Sequence, residues 1–463
     1  MKHLGIVIVD GVGYRNFVLS DFCAHAVETF DRVTIYSGLP EDVYSDLNFA
    51  NLKVKELPVF KENGKTWFFR KLKEVAHLQH HKNDFYGINA NLTKNKAVSN
   101  SRRAWLTRLV FSITRIFNSE RSIKKFYGWQ QQSFAENFIT EEYFELLRKD
   151  QPNVLFFTHQ RPPYLALLDH AAKKLGIKTC SFIFSWDNLP SKGRMAAPFD
   201  SFLVWSSLMK KELHYFYPKT KDQTVTVVGT PQFEPYVLNR YASSREYFFE
   251  RFNLNNQYKS ICYSCGDIST SQNDGLYIKV IAEALRDKQI PKVNFIVRTS
   301  PAEDGSRFSS LKAEFPFIKW NFPQWKLTRE NHPEPWSQRV PLEEDLVDLR
   351  SLLEHCDLNI NMCSTMGMDF MLFQKPVINP VFGNEENGLY NDQKYLRYSH
   401  YERVVASGAV AIVKNDQELI SAINESLKNP KARLKQQEQL LDLQIGKTLE
   451  GTSERILEAL LNL

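Results

Sequence analysis

The chain is expected to fold as an α/β protein: two Rossmann-like, doubly wound parallel sheets followed by a helical tail. Three observations lead there. Short continuous apolar runs alternate with amphipathic stretches of helical length in both halves of the chain. Most of these runs end in small or polar residues, as strands do when the loops after them line a ligand crevice. At 463 residues the chain exceeds what one ordinary core organises, so two or three domains are the default. An apolar fraction of 43% and a charged fraction of 24% are those of a globular protein and exclude wholesale disorder.

The elements follow in order. Leu4 to Val9 is a continuous apolar strand ending in Asp10, Gly11, Val12 and Gly13. A helix over Phe17 to Phe30 and a strand over Arg32 to Tyr36 complete a β-loop-α-β opening. The loop lacks the GxGxxG spacing and no acidic residue closes the second strand, so a dinucleotide fingerprint is excluded. Its two glycines either permit a tight turn or face a ligand. Residues 60–135 form an insertion without strand rhythm. Val154 to Phe157 is the next strand, ending at Thr158, His159 and Gln160; Tyr164 to Leu175 is its helix, closed by Gly176. The strand Cys180 to Phe184 runs into the polar, aromatic turn Ser185, Trp186, Asp187, Asn188, and strands over Phe202 to Trp205 and Val225 to Val228 follow. Gly229, Thr230 and Pro231 then lead into the second half, so the domains are expected at 1–235 and 236–463.

That half repeats the pattern. Strands are expected over Ser260 to Ser264 and Val293 to Val297, the latter ending in Arg298, then a helix over Leu346 to His355 and a strand over Leu358 to Met362. Ser364 and Thr365 start the next helix, and strands at Pro376 to Ile378 and Val410 to Val413 close the sheet. Residues 416–463 are expected to be entirely helical.

The formal charge of +6 is unevenly placed. Lys61 to Lys125 holds 15 Lys and Arg against four Asp and Glu, a local +11 that leaves the rest of the chain net negative. Within it, Trp105, Leu106, Leu109, Val110, Ile113, Ile116 and Phe117 fall on one helical face, with Arg108, Ser112 and Arg115 on the other. Flanked by Arg102, Arg103, Arg121, Lys124 and Lys125, the 102–125 segment either lies on an anionic membrane or packs its apolar face on the sheet. Nucleic acid is not expected, since no recognised module accompanies the charge. His77, His80 and His81 have no acidic or cysteine ligand at useful spacing, so no metal is expected.

Six cysteines scattered mostly through apolar runs suggest reduced, buried thiols in a cytoplasmic protein. The Cys262 and Cys265 pair lies in a strand and has no second pair to complete a zinc site. The first apolar run is too short for a signal peptide, and none reaches the roughly 18 to 20 residues that span a bilayer. Membrane contact is therefore expected to be peripheral, at the inner face.

In the second half, NMCSTMGMD places Ser364 and Thr365 after a strand, where free N–H groups attract phosphate or where hydroxyls simply cap a helix. Arg298 offers bidentate geometry to the same phosphates, and Asp369 an acceptor for a ribose hydroxyl. A nucleoside diphosphate fits this set.

With SWDNLPSKG, VVGTPQFE, VRTSP and STMGMD followed by KPVINPVF, the chain resembles the GT-B glycosyltransferases that build bacterial surface polysaccharides (capsule and lipopolysaccharide). More distantly it is similar to the CDP-glycerol glycerophosphotransferases. The resemblance implies two Rossmann-like domains facing across a cleft, a nucleotide-sugar donor, a glycan or lipid-linked acceptor, and no metal or other cofactor; the absence of DxD agrees. It further implies donor binding through Arg298, Ser364, Thr365, Asp369, Gly229 and Thr230, and acceptor contacts from Gly13, Arg15, Asn16, Trp186 and Asn188. Asp10, His159 and Asp187 end strands and are the candidate catalytic groups, His159 for the ordinary pKa of its imidazole. The alternative for Asp10 and Asp187 is to cap a helix or pin a loop, and for the lone His159 a structural role. Open alternatives are a nucleotide-sugar 2-epimerase or CDP-polyol phosphotransferase on the same fold, and a non-catalytic sugar-nucleotide binding protein.

Overall fold

The computed structural model describes residues 2–463 and divides the chain into two compact units. The first comprises the residues up to Gln232 together with Thr328–Gln338 and Gln444–Leu463; the second comprises Phe233–Leu327 and Arg339–Leu443.

The first unit is built on seven parallel strands: β1 (His3–Ile8), β2 (Arg32–Ser37), β3 (Leu52–Glu56), β4 (Val154–Phe157), β5 (Lys178–Phe182), β6 (Ser201–Val204) and β7 (Thr224–Val227). Their order is β3-β2-β1-β4-β5-β6-β7, with Ile6 opposite Ile35 on one side and Phe156 on the other. β1 and β4 are fully buried, which is why they read as unbroken apolar runs. β3 was not expected from the sequence. Its LKVKE is half-exposed at the sheet edge, so lysines occupy a strand that the apolar rhythm does not mark.

The single helix expected over Phe17 to Phe30 is instead two, α1 (Gly11–Phe17) and α2 (Phe22–Thr29). Asp10 caps the first with its side chain, and the Ser20 hydroxyl accepts the Phe22 N–H at 3.3 Å where the second begins. The insertion is helical: α3 (Gly64–His81), α4 (Tyr86–Lys94), α5 (Arg102–Ile116), α6 (Glu120–Gln132) and α7 (Phe138–Asp150). Asn63, Ser101 and Ser119 cap α3, α5 and α6, each accepting the N–H three residues on. α3 packs against both α5 and α6. α5 buries Ala104, Val110 and Thr114, while Trp105, Leu109, Ile116 and the following Phe117 stay exposed. The apolar stripe read from the sequence is thus divided, with its largest side chains turned away from the packed face. The helices α8 (Leu165–Lys174), α9 (Asn188–Ser191) and α10 (Ser207–Phe216) follow β4, β5 and β6.

The second unit opens with α11 (Arg245–Arg251) and carries β8 (Ser260–Ser264), β9 (Asn294–Arg298), β10 (Lys319–Asn321), the antiparallel pair β11 (Trp325–Leu327) and β12 (Arg339–Pro341), then β13 (Leu358–Ile360), β14 (Val377–Pro380) and β15 (Ala411–Val413). All but that pair form one parallel sheet in the order β10-β9-β8-β13-β14-β15. Tyr263, Ile281, Val297, Ile360 and Ile378 lie in its core. Its helices are α12 (Asp274–Arg286), α13 (Ser309–Glu314), α14 (Glu343–His355), α15 (Met366–Leu372), α16 (Ser399–Ser407) and α17 (Asp416–Lys428).

The helical tail consists of three helices, with α18 (Leu434–Ile445) and α19 (Thr452–Leu461) after α17. Pro430 follows the first, and Gly446 and Gly451 take φ of 68° and 72°, a left-handed conformation that ends α18 and precedes α19. α19 packs against α2 in the first unit. Among the described residues no helix is long and apolar enough to cross a membrane.

Candidate functional site

In each sheet the strand order reverses once, between β1 and β4 in the first unit and between β8 and β13 in the second. The crevice beyond the strand ends at such a reversal is where doubly wound sheets take ligands.

In the first unit that position belongs to Asp10. Its Oδ1 accepts the Gly13 N–H at 2.7 Å, and its Oδ2 is buried without a hydrogen-bond partner. Burial pushes its carboxyl up to about 6, with the Gly13 and Val12 N–H groups opposing and Glu334 adding to the rise. The turn is tight: a Cβ on Gly13 would lie 3.3 Å from Thr158 Oγ1 and 3.4 Å from Asp10 Oδ1.

A cavity of about 730 Å³ opens beside Asp10, lined entirely by the first unit. Tyr164 and Gln338 line it as well, and the Tyr164 hydroxyl and Gln338 Oε1 are also buried without partners. Gln338 is held in place by its Nε2, which donates to the Gly38 carbonyl at 3.2 Å. Three unsatisfied polar atoms therefore meet one cavity, an arrangement that native proteins keep for ligands or water. The cations around it differ in availability. Arg70 is clamped by Glu62 and Glu74, Arg329 pairs with Glu56, and Arg103 lies over the Trp67 ring at 5.0 Å. Lys61 and Arg102 line the cavity, are exposed, and make no ion pair among the described residues.

His159, at the end of β4, stacks on Phe184 with ring centroids 4.2 Å apart, and its Nδ1 accepts the Arg161 N–H at 3.1 Å. Burial, reinforced by Arg161, pushes the imidazole down to about 3, with Asp187 opposing. It is neutral at physiological pH with Nε2 carrying the proton, so it is a donor rather than the neutral-range base expected from its residue type. Asp187 is part-exposed, accepts from Asn188 at 3.0 Å and lies 3.4 Å from Lys192. Trp186 is buried, whereas a sugar-stacking indole would present a face. Gln160 ties the two loops, donating to Asn188 Oδ1 at 2.9 Å and accepting the Phe184 N–H at 3.1 Å. Arg15 and Asn16 are buried, with Arg15 donating to Asn16 and to the Gln232 carbonyl. Gly229, at φ +85°, faces Lys447 and Arg455 of the tail, and the Thr230 hydroxyl accepts the Gln232 N–H. Of the six expected donor contacts, these two belong to the first unit and the other four to the second.

In the second unit Arg298 donates to Asn321 and to both oxygens of Asp345. Ser364 and Thr365 precede α15, which starts at Met366 rather than at the serine. The Ser364 N–H is held by Asn361 Oδ1 at 2.9 Å, Cys363 takes φ 49°, and Asp369 accepts the Tyr236 hydroxyl. Beneath this loop runs a ladder of amides that the sequence did not single out. Asn359 donates to Ser264 at 2.9 Å, Asn361 to Asn359 at 2.6 Å, and Asn379 to the Asn361 carbonyl at 2.7 Å. The loop after β8 is anchored by Asp274, which accepts from Tyr263, the Gly266 N–H and Arg307.

No family model matches the chain, and no curated protein does. Among solved structures it is similar to a UDP complex of MnaA from S. aureus, at 12% identity and TM-score 0.51 over 98% of this chain and 95% of that one. It is also similar to a UDP-N-acetylglucosamine 2-epimerase, at 11% identity and TM-score 0.52 over 99% and 95%. A glycosyltransferase from Rickettsia africae matches at 12% identity and TM-score 0.51 over 99% and 97%. The likeness is one of fold: a GT-B-like α/β chain with seven- and six-stranded parallel sheets, an architecture that epimerases and glycosyltransferases share.

Proposed function

We propose that the chain is a glycosyltransferase that moves a sugar from a nucleotide-diphosphate sugar to a glycan or lipid-linked acceptor in bacterial surface polysaccharide synthesis. The observation that carries this reading is the cavity beside Asp10, where Asp10 Oδ2, Tyr164 and Gln338 offer unpaired polar atoms to a hydroxylated ligand. The crevice at the β8 and β13 ends, in the other unit, is assigned to the donor. An epimerase acts on one nucleotide sugar and needs no acceptor pocket. The UDP in the MnaA complex supports a uridine diphosphate donor.

In this reading Asp10 is the general base. An acceptor hydroxyl hydrogen-bonded to Oδ2 attacks the anomeric carbon; the new C–O bond forms as the bond to the diphosphate breaks. The leaving group takes the electron pair and Asp10 takes the proton. A group raised to about 6 is ionised at pH 7 yet basic enough to help. The Tyr164 hydroxyl, unpaired at the same cavity, orients the acceptor. Ser364, Thr365 and the loop after β8 receive the diphosphate, and Asp369 serves through its contact with Tyr236. The exposed Trp105, Leu109, Ile116 and Phe117 beside Arg102 and Arg115 suit peripheral contact with an anionic membrane, and Arg102, Arg103 and Leu106 of the same helix line the cavity.

The test is a thermal-shift titration with UDP and UDP-sugars followed by a transfer assay on Asp10→Ala. Stabilisation by a nucleotide, with transfer lost in the variant, supports the reading. No nucleotide response, or full transfer by Asp10→Ala, overturns it.

A further inference from the structure

The helical insertion holds a second cluster with chemistry of its own. His77 and His81 stand one turn apart on α3, and α6 brings Glu120 to them. One ligand atom from each lies within 4.8 Å of the others. The sequence concealed this, because Glu120 is far from the histidines along the chain.

Both imidazoles are buried, and the Nε2 of each has no hydrogen-bond partner. His81 Nδ1 donates to Asp84 at 2.8 Å, and Asp84 in turn accepts from the Tyr215 hydroxyl at 2.8 Å. A carboxylate behind one ring nitrogen fixes the tautomer, so the lone pair sits on the other, as in histidines that hold metal ions. His77 stacks on Tyr217, with centroids 5.4 Å apart, and is fixed in orientation.

We propose that His77, His81 and Glu120 bind a zinc-class divalent ion that ties α3 to α6. Two imidazoles and a carboxylate are a zinc donor set, with ion-to-nitrogen distances of about 2.0–2.1 Å. The three groups close slightly around the ion from their present spacing. Arg194 now clamps Glu120 through two nitrogens, at 2.6 and 2.9 Å, and lies 3.5 Å from His77 Nδ1. The carboxylate has an oxygen for each cation: one turns to the metal while the other keeps the guanidinium, whose stacking on Tyr217 at 4.3 Å holds it in place. The ion would lock the helical scaffold that carries α5.

The experiment uses tag-free full-length protein stripped with chelator, titrated with Co²⁺ for its d–d absorption and with Zn²⁺ for bound metal by elemental analysis. One equivalent per chain is expected, with a rise in thermal midpoint on adding Zn²⁺. His81→Gln and Glu120→Gln, each with the circular dichroism of the metal-free wild type, are expected to weaken Co²⁺ binding at least about tenfold and abolish the rise in midpoint. If His81→Gln does not fold, Glu120→Gln, which retains an oxygen for Arg194, decides alone. Wild-type protein that takes up no stoichiometric metal, or folded variants that bind it as tightly, overturns the proposal.

Discussion

Arg298 and Asp345 form a buried pair in which one guanidinium nitrogen meets both carboxylate oxygens, at 3.0 and 2.9 Å. Asp345 also accepts the Gln324 N–H and the Trp325 indole, so the end of β9, the segment after β10 and the first turn of α14 share one carboxylate. Arg298 is therefore a structural hinge-pin of the second unit before it is anything for a ligand.

Arg298→Ala is expected to destabilise the second unit by about 3–5 kcal/mol, the usual cost of stranding one partner of a buried ion pair. Urea unfolding followed by the fluorescence of Trp320 and Trp325 reads this. A stability loss below about 1 kcal/mol would show the pair to be dispensable.

Asp10→Asn is expected to abolish transfer and to stabilise the fold. The native carboxyl is raised from 3.8 to about 6, so between those pH values the folded state holds more protons than the unfolded one, and stability falls as pH rises. The variant's advantage should be near zero at pH 4, grow through pH 6 and level off at about 2–3 kcal/mol. Matched chemical denaturation at pH 4, 6 and 8 checks the sign.

Lys73 gives the opposite slope. It is buried, donates to the Ala196 carbonyl at 2.5 Å, and burial lowers it from 10.5 to about 7. Between pH 7 and 10.5 the unfolded chain holds the extra proton, so its contribution to stability rises with pH. Lys73→Met should be more stable than wild type at pH 7 by about 3–5 kcal/mol, with the gap closing towards pH 10. A gap that stays constant across that range would refute the assignment.

Gly266→Ala tests the donor loop. A Cβ there would lie 2.0 Å from Ser271 Oγ, so the loop after β8 must move. UDP affinity by calorimetry should fall at least about tenfold, while Asp274 and the sheet beneath remain in place. Unchanged affinity would remove this loop from the donor site.

On vesicles containing anionic lipid, the double variant Trp105→Ser, Ile116→Ser should bind several-fold more weakly than wild type, and added salt should weaken wild-type binding. Equal co-sedimentation of both proteins would exclude α5 as the contact.

The parallel strands were legible because burial on both faces writes them as unbroken apolar runs. β3 and β10 were not: an edge strand such as LKVKE needs no apolar face, and three residues carry no rhythm. Asp10 and His159 were legible as residues that follow strands, because an apolar run that stops at a polar residue marks a strand end by position. Their protonation was not, since the Phe184 ring and Arg161 that hold His159 neutral meet it only in the fold. Gln338 was invisible for a different reason: its partner Gly38 lies 300 residues away. The packed face of α5 was not legible, because Ala104 and Thr114, small and weakly apolar, help to make it.

The tail has a consequence in time. Arg455 donates to the Val228 carbonyl at 3.0 Å and His25 meets Glu454 at 3.3 Å, so the last helix is part of the first sheet's cover. During synthesis, the β1 to β7 sheet emerges first yet lacks this piece until residues 444–463 leave the ribosome. The body made earliest is thus finished last, and the nascent chain must keep an uncovered flank soluble throughout the translation of the other unit.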